Sequence, residues 1–192
     1  MTPRLPLIEP PYPPEIDDDL RKLMPPGVPP LALFRVIAHN PRVLGRVRRG
    51  GLLDPGAVTL REREIAILRT TARCGAEYEW GVHVTFFASA AGLTAEQIAA
   101  TVDGAADAPV WAPREQLVIA LCDALHDQAR VPAPLWSRLA AAFTPSQLIE
   151  LIVLVGQYHM VSFVANALEL PPEDTAARFP GSSAPDQPDR GD

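Results

Sequence analysis

Between residues 30 and 170 every apolar run carries the punctuation of a helix, and none alternates in the two-residue rhythm of a strand. Thr94 and Gln97 have the spacing of a capping box, in which a threonine hydroxyl and a glutamine side chain satisfy each other's backbone N–H groups. Thr144, Pro145 and Gln147 repeat that signal with a proline at the first helical position, ahead of a long apolar helix to Leu168. Gly75 and Gly92 stand where two further runs stop. The expected helices are 30–38, 41–49, 60–73, 76–91, 94–102, 113–128, a shorter one opening at Pro132 or Pro134, and 144–168. The fold class is therefore all-α, with one helical domain over residues 30–170.

The flanks read differently. Ten of the 22 prolines fall in the first 30 residues. Proline fixes φ and lacks an N–H, so residues 1–29 are expected to form an extended strap with one short helix at about 14–23. The sequence leaves open whether the strap wraps a neighbour or hangs free. Residues 171–192 are rich in proline, aspartate, serine and glycine, lack an apolar pattern and read as disordered.

Composition narrows the function classes. Hydrophobic residues make up 47% of the 192 but aromatics only 6%, a balance that favours packed helices over a sandwich or barrel. A formal charge of −6 leaves no basic footprint, so nucleic acid is not an expected partner. The cluster Arg42, Arg46, Arg48 and Arg49 reads as a solvated helix end. The first 20 residues contain no continuous apolar stretch of signal-peptide type. The apolar run 148–155 sits in a segment interrupted by Gln157 and His159 and reads as too short and too polar to span a bilayer. No membrane association is expected, and the cytoplasm is the expected location. Cys74 and Cys122, with 47 residues between them, have neither CxxC nor zinc-type spacing.

The chemistry-bearing residues concentrate between Leu60 and Gly92. Glu64 shares a helical stripe with Leu60, Ile67, Leu68 and Thr71, while Glu62, Arg69 and Arg73 form another. It is either a functional carboxylate or a stripe-edge glutamate paired with an arginine of the same RER run. Glu79 and His83 are four residues apart, a spacing that brings their side chains together above Phe86 and Phe87. A carboxylate beside a mid-helix imidazole can fix its tautomer and tune it toward acid/base work; the bland alternative is a satisfied core histidine and a first-turn glutamate favoured by the helix dipole. Tyr78 and Trp80 are pocket walls or core aromatics. Tyr158, His159 and Asn166 are polar intrusions in the last apolar helix, His126 reads as a helix-end residue, and Cys122 as core.

The stretch LREREIAILRTTARCGAEYEWGVHVTFFASAAGLTAEQIAA, with a looser match in LIELIVLVGQYHMVSFVANALEL, resembles the carboxymuconolactone decarboxylase family, which includes the alkylhydroperoxidase D-like (AhpD-like) proteins. The resemblance spans about residues 60–170. It implies an AhpD-like helical bundle assembled as a homo-oligomer, commonly a trimer or hexamer. In the redox branch a glutamate is followed after eleven residues by CxxC and, three residues later, a histidine. On this chain the glutamate falls on Glu64 and the histidine on His83, but the cysteine slots fall on Ala76 and Glu79. Disulfide chemistry needs an attacking and a resolving thiol, so the implied reaction is that of the decarboxylase branch, which needs no metal or organic cofactor. The expectation is a cofactor-independent lyase acting on a small enolisable or carboxylated organic acid. His83 would be the principal acid/base, Glu79 its orienting partner and Glu64 a second acid/base facing the substrate; Tyr78, Trp80, Tyr158 and His159 would contact the substrate. The alternatives are a peroxidase-like oxidoreductase using Cys74 and a non-catalytic oligomeric scaffold of the same fold.

Overall fold

In the computed structural model, which describes residues 2–181, Thr59 caps the helix that organises the molecule. Its hydroxyl accepts from the Glu62 N–H at 3.2 Å, and the Glu62 carboxylate accepts from the Thr59 N–H at 3.0 Å. The described residues form nine helices: α1 Pro14–Leu23, α2 Ala32–Ile37, α3 Pro41–Gly50, α4 Leu60–Arg73, α5 Glu77–Phe87, α6 Ala95–Asp103, α7 Pro113–Gln128, α8 Ala133–Ala142 and α9 Pro145–Ala167. The domain is all-α. The capping boxes at Thr94 and Thr144 are formed. Gly75, at φ +62°, closes α4 in a Schellman motif: its N–H bonds to Ala72 O and that of Ala76 to Thr71 O, both at 2.9 Å. α5 is shorter than expected, because residues 88–91 tighten into turns before Gly92 at φ +65°.

α4 lies at the centre, packed by α5, α6, α7 and α9. Its residues from Glu62 to Thr71 are all buried, so the expected division into apolar and polar stripes does not hold. Leu60 is 37% exposed while Arg69 is 5% exposed. Neighbouring charges make this tolerable: Arg69 forks onto Asp123 of α7 at 2.7 and 3.0 Å, Arg61 reaches Glu115 at 2.5 Å, and Glu62 pairs with Arg114. The main core gathers Ile65, Ile67, Leu68, Leu121, Leu151 and Leu154, among others, where truncation of one leucine or isoleucine to alanine costs about 2–5 kcal/mol.

A second apolar cluster joins α1–α3 to α5 and α9 through Ile16, Leu20, Leu33, Leu44, Val82 and Val161. The proline-rich strap, whose course the sequence left open, lies on its own chain: Arg4 N–H bonds to Leu168 O at 2.9 Å, and Arg35 Nε to Ile8 O at 3.1 Å. The apolar segment of α9 corrects another reading. It belongs to one 23-residue helix, long and apolar enough by length and composition to cross a bilayer. One face, with Leu151, Leu154 and Tyr158, is buried in the domain, and Ile149, Val153, Met160 and Phe163 are exposed.

Residues 171–181 are not disordered, as their composition implied; residues 182–192 of that tail lie outside the described residues. Glu173 accepts from the Ala32 N–H at 2.7 Å and from the Tyr78 hydroxyl at 2.5 Å. Glu77 accepts from Phe179 N–H and pairs with Arg178, both at 2.8 Å, while the Phe179 ring packs on Trp80. Gly81 makes room for this segment: a Cβ there would stand 2.1 Å from the Ala177 carbonyl oxygen. Gly81→Ala is therefore expected to detach residues 171–181. Limited proteolysis should cut this stretch in the variant and spare it in the native protein; equal resistance would mean that the contact yields without cost.

Candidate active site

Glu64 projects from α4, Glu79 and His83 from successive turns of α5, and Tyr158 from α9, and the four meet around one imidazole. His83 Nδ1 lies 2.8 Å from Glu64 Oε2, and His83 Nε2 lies 2.9 Å from the Tyr158 hydroxyl and 3.5 Å from Glu79 Oε1. The second Glu64 oxygen accepts from Arg63 Nε at 3.0 Å, and Arg63 continues to the Leu53 carbonyl at 2.5 Å. Glu64 is fully buried, and Glu79, His83 and Tyr158 are nearly so. Glu79 Oε2 is buried and has no hydrogen-bond partner among the described residues.

The electrostatics follow from this enclosure. Burial by itself would lower the His83 pKa, but its hydrogen bonds to the Glu64 and Glu79 carboxylates, and their charges, outweigh it and carry the imidazole to about 9. The protonated ring donates from Nδ1 to Glu64 and from Nε2 toward Tyr158 and Glu79. Once the Nε2 proton leaves, the Glu64 bond keeps the other on Nδ1, and Nε2 accepts from the phenol. Burial, reinforced by Glu79 and Glu64, holds the Tyr158 hydroxyl well above its ordinary pKa, so it remains a proton-bearing donor.

His83, Glu79 and Tyr158 form the polar end of a cavity of about 330 Å³, a volume suited to a small organic molecule. Phe86, Phe87 and Val82 continue the wall from α5. The roof comes from the N-terminal layer, with Leu33 and Phe34 of α2, Val47 of α3 and the Leu23–Pro25 turn after α1. These roof residues carried no chemical signal in the sequence, since they are ordinary apolar side chains of a segment remote from α5. Arg63 was visible only as the bland partner of Glu64; the structure gives Glu64 that partner and the imidazole together.

The positions expected of the two glutamates relative to the cavity are exchanged. Both Glu64 oxygens are occupied by Arg63 and His83 behind the cavity wall, so Glu64 orients the imidazole. Glu79 faces the cavity with one oxygen free of protein partners. The reason is helix phase: α4 lies beneath α5, and a carboxylate reaching His83 from below cannot also reach the cavity.

Three expected substrate contacts are corrected. Tyr78 lies in the second core, its hydroxyl donating to Glu173 and accepting from the Leu33 N–H at 3.0 Å. Trp80 points into the main core, where its indole N–H donates to Thr101 Oγ1 at 2.9 Å. One residue either side of Glu79 rotates a helical side chain by about 100°, so neither neighbour can share its direction. His159 follows Tyr158 and is turned away for the same reason; its Nδ1 donates to Val155 O at 2.8 Å and its Nε2 lies 3.0 Å from His126 Nδ1. Cys74 does not line the cavity, and burial raises its thiol pKa. Burial pushes Cys122 up to about 12.

Residues 41–124 match the model of the Carboxymuconolactone decarboxylase family. The structure is similar to that of an uncharacterized peroxidase-related protein with an alkylhydroperoxidase AhpD core from Ralstonia eutropha JMP134, at TM-score 0.77 and 17% identity, covering 91% of this chain and 94% of that one. An uncharacterized peroxidase-related protein from Silicibacter sp. TM1040 is similar at TM-score 0.76 and 16% identity, over 90% and 93% of the two chains. The debrominase Bmp8, in complex with 2,3,4-tribromopyrrole, is similar at TM-score 0.69 and 13% identity, over 88% and 91%. No curated protein sequence matches the chain. The matched segment holds Glu64, Glu79 and His83, and the structural likenesses extend over the helices that complete the cavity. Residues 41–124 thus carry the likeness to the carboxymuconolactone decarboxylase family, and the chain has the AhpD-like fold.

Proposed function

We propose that this protein is a cofactor-independent lyase of the decarboxylase type, acting by acid/base chemistry on a small enolisable or carboxylated organic acid. The observation that carries this reading is Glu79: a buried carboxylate oxygen without a protein partner, in the wall of an apolar cavity, with a protonated imidazole behind it. A carboxylate oxygen buried without a partner costs stability unless a bound group satisfies it. The charges of Arg63 and protonated His83 balance those of Glu64 and Glu79, so an anionic substrate does not enter against a net negative wall.

The reaction needs a proton donor, a group to steady the developing enolate and exclusion of water. As the carbon–carboxylate bond breaks, its electron pair moves into the neighbouring unsaturated system and CO2 leaves. Tyr158 donates a hydrogen bond to the enolate oxygen. His83 supplies the proton that Glu79 passes to carbon, and solvent returns one to the imidazole. The same groups serve isomerisation or elimination on a substrate of that class. Cys74, raised in pKa and outside the cavity, lacks the exposed, thiolate-prone setting that a peroxidase needs.

The exposed stripe Ile149, Val153, Met160 and Phe163 on α9 supports a homo-oligomer, since a contiguous apolar face on water favours burial against another copy. Light scattering on the purified chain reads the assembly directly.

The test is turnover of a panel of small β-keto acids and unsaturated lactone acids in D2O, followed by mass spectrometry. One deuterium should enter the product at the carbon that lost CO2. Glu79→Gln should lower kcat by about 10²–10⁴, and Tyr158→Phe by about 10²–10³. A Glu79→Gln enzyme that decarboxylates at the native rate removes this reading.

A further inference from the structure

A second group of reactive side chains lies apart from the cavity, where the ends of α4 and α7 meet the middle of α9. Cys74 follows the last turn of α4, His126 is in the last turn of α7, and His159 is on the inner edge of α9. His126 Nδ1 is 3.8 Å from Cys74 Sγ and 3.0 Å from His159 Nε2, and the three ligand atoms all lie within 4.8 Å of one another. Each residue is half-buried. We propose that Cys74, His126 and His159 form a binding site for a zinc-type divalent cation, with a fourth position open to water.

The geometry favours a cation over a thiol–imidazole relay. In a relay the base uses one ring nitrogen toward the nucleophile and the other toward an orienting group. Here a single nitrogen of His126 faces both sulfur and the second imidazole, so three donor atoms converge on one point. A tetrahedral ion with Zn–S about 2.3 Å and Zn–N about 2.0–2.1 Å places its ligand atoms about 3.3–3.6 Å apart. The observed 3.0 and 3.8 Å bracket that range, and the third pair, Cys74 with His159, lies within 4.8 Å.

The surrounding bonds prepare the donors. His159 Nδ1–H donates to the Val155 carbonyl, which leaves the Nε2 lone pair toward the cluster, the outer-shell arrangement that orients metal-binding histidines. Asn166 Nδ2 holds the Cys74 carbonyl at 2.9 Å. The nearest cation, Arg73, is drawn off by Asp127 at 2.5 Å and Asp123 at 3.7 Å. His159 also borders an open hollow of about 260 Å³ with Leu125 and Ile152, through which an ion and its water can enter. On binding, the metal replaces the thiol proton, which passes to solvent. His126 coordinates through Nδ1 and carries its own proton on Nε2. A borderline-soft ion suits one thiolate and two imidazoles better than Mg2+ or Ca2+.

The experiment titrates the full chain, stripped with a chelator, with Co2+ and then Zn2+. One Co2+ per chain should produce a thiolate-to-cobalt charge-transfer band in the near ultraviolet, which Zn2+ abolishes by displacement. Cys74→Ser should remove the band, and His159→Gln should weaken binding by more than about 100-fold. Cys122→Ser and Glu79→Gln should keep both band and affinity. Circular dichroism confirms that each variant is folded, and His159→Gln decides the matter if Cys74→Ser is not. A native chain without the band, a band surviving Cys74→Ser, or binding that depends on Glu79 would each overturn the assignment.

Discussion

Replacing Glu64 with alanine is expected to lower the stability of the fold by about 3–5 kcal/mol, the cost of removing one partner from a buried ion cluster. Its carboxylate is fully buried and joins the Arg63 guanidinium to the His83 imidazole. Without it two cationic groups remain at the centre of the bundle, 8% and 2% exposed, with Glu79 as the remaining carboxylate beside the ring. For a chain of this size each kcal/mol moves Tm by about 2–4 °C, so the variant should melt about 6–20 °C lower. Glu64→Gln, which keeps the shape and a hydrogen-bonding side chain, should lose less. Calorimetry separates the two. An alanine variant melting within a degree or two of the native protein would show that Glu64 is not holding desolvated charge.

Stability should also fall as pH rises through the alkaline side of neutrality, because of His83. Its pKa is carried from the ordinary 6.5 to about 9 in the folded protein, so the folded state holds the proton more tightly than the unfolded one. A group shifted in that direction contributes its stability fully below about pH 6.5, and the contribution is lost as pH passes through about 9. At about 1.4 kcal/mol per unit, the imidazole accounts for about 3 kcal/mol across that window. Urea unfolding at pH 6 and pH 9.5 should show a decline in the native protein that His83→Gln largely flattens. Parallel curves would place a neutral imidazole in the folded state.

How much of this was legible in the chain depends on how far apart the interacting groups lie along it. The caps at Thr94 and Thr144 and the stop at Gly75 satisfy backbone groups within a few residues, so the helices could be read from local spacing. Glu79 and His83, one turn apart, were readable as a pair for the same reason. Glu64 was readable as a candidate, but its role was not. Whether it faces the cavity or lies behind His83 depends on how α4 packs under α5, and no residue on α4 records that.

The C-terminal segment shows the opposite case. Residues 171–181 have no periodic apolar pattern, and their order comes from Glu77, Tyr78, Gly81 and Thr85, about 90–100 residues earlier in the chain. Tyr158 and His159 are adjacent in sequence and were read alike. The turn of the helix sends one to the cavity and the other to Cys74 and His126. By itself the sequence determined the helices, the ends marked by caps and the all-α class, because backbone hydrogen bonds and caps close over three to six residues. Only the tertiary structure decided the roof over the cavity, the order of residues 171–181 and which of the two glutamates borders the cavity. Those are set by packing between helices, where direction and depth of burial belong to pairs of surfaces and not to any one stretch of chain.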